Sequence, residues 1–255
     1  MSLKFSVIIV LVALVAFSLV ATIAYATHSW GNYHWARKTN PPTIKLADNV
    51  SSSWDAYLTG ASTDWSQSSV LDTTVVTGTS TSSCRPTVGR VEVCNRKYGS
   101  NGWLGVASIW VSGSHITQGT VKVNDTYFNT NTYNKPEWKR LVMCQEVAHT
   151  LGLDHQDENF SNLNLGTCMD YTSKPAGPPS NEHPNAHDYE QLETIYAHLD
   201  SITTVGQTTS RHGKDGDASD EWGKSVRKDG KDKTSLYERD LGRGDKMFTF
   251  VFWTE

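Results

Sequence analysis

Residues 145–155, Gln-Glu-Val-Ala-His-Thr-Leu-Gly-Leu-Asp-His, concentrate the side chains of this chain that could do chemistry. On a helix, positions 145 and 149 stand one turn apart on the same face, so Gln145 and His149 can reach one metal ion. Glu146, beside the first of them, is placed to lean over an open coordination position and take a proton from water. Gly152 accepts the left-handed backbone that ends a helix, and the turn it permits would return His155 as a third ligand. Three donors, a general base and an open position make a hydrolytic centre of the zinc type. A glutamine oxygen is a neutral and harder donor than imidazole, so this set binds zinc more weakly than three histidines and leaves it more electrophilic. The alternative is a degenerate site that keeps its fold and has lost its metal.

With glutamine in place of the first histidine, the segment otherwise matches H-E-x-x-H-x-x-G-x-x-H. Cys168-Met169-Asp170-Tyr171 follows downstream. On these two segments the chain resembles the metzincin zinc metalloproteases. Residues 43–199 resemble a matrixin-like catalytic domain, with 181–199 as its last helix. The resemblance implies one catalytic zinc, with Met169 as an apolar floor beneath the ligands rather than a ligand. It also implies that Tyr171 approaches the metal or the oxyanion, as the tyrosine two residues after the methionine does in the astacin-like and serralysin-like branches. Cys144 and Cys168 would then be neighbours, and a disulfide would tie the helix to the methionine turn. An extended protein or peptide substrate would pair antiparallel with an edge strand near 115–123. No propeptide with a cysteine switch fits between Ala26 and the first strand, so latency would need another device. Snapalysin-like relatives use an aspartate as third ligand, but His155 holds the usual position here and leaves Asp154 as a supporting carboxylate. Asp157 and Glu158 could join a structural calcium site, though no full loop pattern supports one. His115, His183, His187 and His198 fall outside the motif and read as surface or core histidines, with His115 nearest the expected substrate side.

The elements that must position these residues follow from periodicity. Strands are expected over 43–47, 70–77, 90–94, 102–111 and 115–123, the last an edge strand. Trp54, Tyr57, Leu58, Ala61 and Trp65 recur at helical spacing within 53–66. The active-site helix should span 134–151, with Pro136 in its first turn. A last helix should cover 188–199, with Asp188 and Gln191 as a capping box. Strand, helix, strands, helix, turn, helix is an α+β order: a mixed twisted sheet packed with three helices. An aromatic lead, 27–42, precedes the sheet. A polar linker, 201–220, follows the last helix and leads to a small β-rich C-terminal extension, 221–255, ending in the apolar run Met247–Trp253.

Composition sets the outer limits. The chain has 255 residues and a net charge of −4, with no basic stripe, which argues against nucleic acid as a partner. Met1–Ala26 has a lone Lys4, a long apolar run and a small-x-small end, and reads as a secretory signal. An uncleaved outward-facing membrane anchor is the alternative. Export permits disulfides. Cys84 and Cys94 flank a short turn with Pro86 and Gly89, so they are expected to staple a β-hairpin. The sequence therefore reads as a secreted, monomeric zinc metalloendopeptidase that stays off the membrane after signal cleavage. The rival reading is an inactive metzincin fold serving as an extracellular binding module.

Overall fold

The computed structural model describes residues 27–79, 83–208 and 221–255. The expected signal, 1–26, lies outside them, as does the linker beyond residue 208. In chain order the elements are β1 (His34–Trp35), β2 (Thr43–Asn49), α1 (Asp55–Trp65), β3 (Asp72–Thr77), β4 (Val91–Arg96), β5 (Trp103–Ser112) and β6 (His115–Asn124). Then come α2 (Asp125–Phe128), α3 (Pro136–Thr150), α4 (Ala186–Ile195), β7 (Lys224–Lys228), β8 (Thr234–Gly242) and β9 (Asp245–Trp253). The fold is α+β: the strands form one mixed sheet in the order β3-β2-β4-β6-β5-β9-β8-β7, with β1 paired to the start of β6. Neighbours from β3 to β6 run parallel, and each pair from β6 to β7 runs antiparallel.

Apolar alternation builds the strands: Ile44 and Leu46 of β2 are buried while Thr43 and Lys45 are exposed. β5 and β9 are buried on both faces. On one face they meet α3, which in turn packs on α1, through a core that includes Trp54, Trp65, Leu141, Val147 and the phenylalanines 248, 250 and 252. On the other they meet Trp222, which packs with Trp103, Val106 and Val251. Two buried indoles fix α3 by donating to its carbonyls, Trp65 Nε1 to Cys144 O at 3.1 Å and Trp35 Nε1 to Thr150 O at 2.9 Å. A buried indole N–H without a partner would be costly, so these bonds select the helix's position as well as holding it.

Several expectations change. Residues 115–123 are no edge: β6 lies between β4 and β5, and the parallel β4 takes the side left open in the sequence reading. Cys84 and Cys94 are bonded, but not across a hairpin, because β3 and β4 both run parallel to β2 and Cys84 sits in the loop before β4. Helix α4 starts earlier than 188 because Asn185 is the better cap: its side chain accepts from the His187 and Asp188 amides, and Asp188 closes the capping box. The helix stops at Ile195, where the Tyr196 carbonyl turns to accept from the buried Arg37 guanidinium. Residues 221–255 are β-rich and continue the main sheet rather than standing beside it.

Candidate metal centre

Helix α3 places Gln145 and His149 on one face, and both are buried. After Leu151 the chain turns at Gly152, where φ is +104° and any Cβ would sit 2.2 Å from the Tyr33 carbonyl oxygen. Only glycine fits that turn. It lets His155 come back, so that His149 Nε2 and His155 Nε2 lie 2.9 Å apart.

The other nitrogen of each ring fixes its tautomer. His149 Nδ1 is 2.9 Å from the Leu153 carbonyl, which can only accept, so Nδ1 carries the proton. His155 Nδ1 is 2.5 Å from Glu158 Oε1 and donates to it. Arg227 Nη2 also approaches that Nδ1, at 3.2 Å, but a nitrogen donating to Glu158 has no lone pair left to accept. Both Nε2 atoms therefore present lone pairs to each other. Burial, then the neighbouring His155, holds His149 well below its ordinary pKa; burial, then Arg227, holds His155 down to about 3. Two neutral imidazoles with opposed lone pairs are a ligand pair for a cation.

The adjoining acceptors point the same way. Gln145 donates from Nε2 to the Cys168 carbonyl at 2.7 Å, which turns its Oε1 inward with no hydrogen-bond partner among the described residues. Both carboxylate oxygens of Glu146 are likewise buried and unpartnered; the Ala107 amide faces them without closing a well-formed hydrogen bond. Burial pushes the Glu146 pKa well up. Buried acceptors left unpaired cost roughly 1–3 kcal/mol each. A divalent ion bound by Gln145 Oε1 and the two imidazoles would relieve that cost at Gln145, so the chemistry of the donor set fits zinc.

Around this centre the Cys144–Cys168 disulfide ties α3 to the methionine turn. Met169 is fully buried, and its carbonyl accepts from the Gln156 amide. Tyr171 packs its ring on His155 with centroids 4.6 Å apart, but its hydroxyl donates to the Val251 carbonyl of β9 at 3.1 Å rather than opening toward a substrate. Asp154 is a supporting carboxylate, gripped by both terminal nitrogens of Arg227 at 2.5 Å. Glu158 ion-pairs with the same Arg227 and takes a hydrogen bond from Ser235, whereas Asp157 binds the Asn159 amide and Asn162. The two acids face different partners, and the calcium cradle does not form. His115 lies instead beside His34 and Asp200.

Sequence comparison finds no matching family model and no similar curated protein. Among solved structures, the fold is similar to high choriolytic enzyme 1, a hatching-enzyme zinc protease from Oryzias latipes (Medaka fish). The identity is 13%, the TM-score 0.37, and the match covers 66% of this chain and 96% of that one. A likeness that distant bears no weight, and the centre must be read from its own geometry.

Two features of the centre had no signal in the motifs. One is Arg227 of β7, which bridges Asp154 and Glu158 behind His155. The other is β9, which pairs antiparallel with β5 and sets Phe250 opposite Ala107. The Phe250 ring stacks on His149 at 4.1 Å and 7°. Gly105 of β5 lets Glu146 come close, since a Cβ there would lie 2.5 Å from its Oε1. The result is a sealed centre, with Gln145 and Glu146 fully buried.

Proposed function

We propose that this chain is an exported zinc-dependent peptide hydrolase whose centre is closed by its own C-terminal strand. The observation that carries the reading is the pair of opposed Nε2 lone pairs on His149 and His155, beside the unpartnered oxygens of Gln145 and Glu146. Gln145, His149 and His155 would hold the ion, and bound zinc supplies a Lewis acid that makes a water acidic near neutral pH. Glu146 takes the water's proton at its carboxylate and passes it to the departing amine. Leu153 O and Glu158 keep the two imidazoles in the ligating tautomer. Strand β9 lies along β5 as an extended peptide would in β-augmentation, so hydrolysis requires β9 to give way to substrate. Two disulfides suit an oxidising compartment, and among the described residues no helix is long and apolar enough to cross a membrane.

The closure favours a second reading, a metal-binding fold without catalysis. One experiment separates them: purified chain is loaded with zinc, assayed for metal, then tested on an unfolded protein substrate with and without chelator. Wild type should hold zinc and show chelator-sensitive cleavage. Glu146→Gln should keep zinc and melting temperature but lose cleavage, since it removes only the proton acceptor. Zinc binding without any cleavage would establish the second reading, and no zinc at this centre would end both.

A further inference from the structure

Three histidines outside residues 145–155 converge on one carboxylate. They come from far apart in the chain: His34 in β1, His115 at the start of β6, and His198 after α4, close to Asp200. The Nε2 atoms of His34, His115 and His198 lie 3.4, 3.1 and 3.6 Å from Asp200 Oδ1. His198 Nε2 is also 3.2 Å from His34 Nε2. A tetrahedral zinc with bonds of about 2.0–2.1 Å sets its ligand atoms about 3.3 Å apart; these four separations lie close to that edge, and the donor atoms of His34, His115 and Asp200 all lie within 4.8 Å of one another.

The supporting contacts orient the ligands. His34 Nδ1 is 2.7 Å from the Asn32 carbonyl, so the proton sits there and Nε2 presents a lone pair. The second oxygen of Asp200, Oδ2, accepts from the Arg37 amide and from Arg37 Nη1, each at 3.1 Å, which turns Oδ1 toward the histidines. Arg37 is itself anchored on the carbonyls of Tyr196 and His198. His34 and Asp200 are 3% and 8% exposed, while His115 and His198 are 26% and 47% exposed, so an ion would enter from the His198 side.

The geometry points to a second metal site, with His34, His115 and Asp200 as the core ligands for zinc or a similar late divalent ion and the more exposed His198 as the fourth donor that closes on it. With His198 as the fourth donor no position stays open, and the ion is structural. It staples the N-terminal lead, the head of β6 and the segment beyond α4. The lead matters to the first centre because the His28 carbonyl accepts from the Asp154 amide and Ser29 bridges to Leu153. The site is nonetheless assigned on its own geometry and stands whether or not residues 145–155 bind metal.

Without an ion the cluster could satisfy itself: His198 would donate to His34, and His115 to Asp200. The test compares full-length wild type with the His115→Asn/His198→Asn double variant. Both replaced side chains are partly exposed, and folding is checked by circular dichroism, with His198→Asn alone as the milder control. Each protein is equilibrated with zinc chloride, dialysed against zinc-free buffer, and analysed for zinc and melting temperature. Wild type should retain one zinc more than the double variant, and zinc should raise its melting temperature further. Two retained against one supports both centres; one against none supports this site and removes the other. Equal zinc content and equal thermal shifts in the two proteins would overturn the inference, as would loss of the additional zinc from wild type on dialysis.

Discussion

At the scale of single residues, Gln145 decides how tightly the first centre holds its ion. Its Nε2 is spent on the Cys168 carbonyl, which leaves only a neutral amide oxygen for the metal. Gln145→His should tighten zinc at least roughly tenfold, because zinc prefers nitrogen over such an oxygen. Competition against a chromophoric chelator measures this, and unchanged affinity would remove residue 145 from the ligand set. The spacing of 145, 149 and 155 was legible in the sequence because one helical turn and one glycine stop fix it locally. The residues behind the ligands were not. Arg227 is 72 residues from His155, and no local rule joins them. His115 and His198 read as unrelated histidines and His34 as part of the aromatic lead for the same reason, with only the short His198-x-Asp200 spacing as a hint.

At the scale of elements, Tyr171 belongs to β9 as much as to the metal. The sequence resemblance makes its hydroxyl an aid to the oxyanion, so Tyr171→Phe should slow hydrolysis. In the structure that hydroxyl holds the Val251 carbonyl, so the same change should loosen β9 and raise basal hydrolysis at a cost of about 1 kcal/mol in stability. Initial rates on one peptide substrate decide the direction, and a slower variant would restore the catalytic role. Strand β9 is not lightly displaced, since burying each of Phe248, Phe250 and Phe252 contributes roughly 1.5–3 kcal/mol. The Cys144–Cys168 bond serves both functions of α3. Replacing both cysteines by alanine should cost about 2–4 kcal/mol and weaken zinc binding, because the carbonyl that orients Gln145 belongs to Cys168. Urea midpoints and zinc titrations of the double variant check the pair of effects. Strand positions could be read from alternation, but the parallel pairing of β4 with β6 is a long-range choice that alternation does not encode, and so 115–123 passed for an edge.

At the scale of the whole molecule, buried histidines set an acid limit. His28 is held down to about 4, chiefly by burial, with the Asp154 carbonyl opposing. It faces Asp188 at 3.4 Å and the His187 ring at 4.9 Å. Its folded pKa lies below the ordinary 6.5, so only the unfolded chain takes up this proton as the pH falls. The stability at stake is intact above about 6.5 and lost progressively toward 4. Asp188, raised to about 6 by burial, opposes this slope within the same range, so the comparison must be made between variants. His28→Gln should gain on wild type by up to roughly 3 kcal/mol between pH 7 and pH 4. Urea unfolding at the two pH values measures the gap, and a constant gap would contradict the assignment.

The place of β9 in the sheet also sets a timetable for making the protein. Ser108 of β5 and Thr249 of β9 share a hydrogen bond across 141 residues of sequence, so β5 must wait for nearly all of that chain to be synthesised before its second edge is paired. Until then an apolar strand stands open, and so does the cleft beside it. Pairing over such a distance is slow to form and exposes the waiting strand to aggregation. The edge of β5 that β9 covers is thus open during synthesis and covered once the two strands pair.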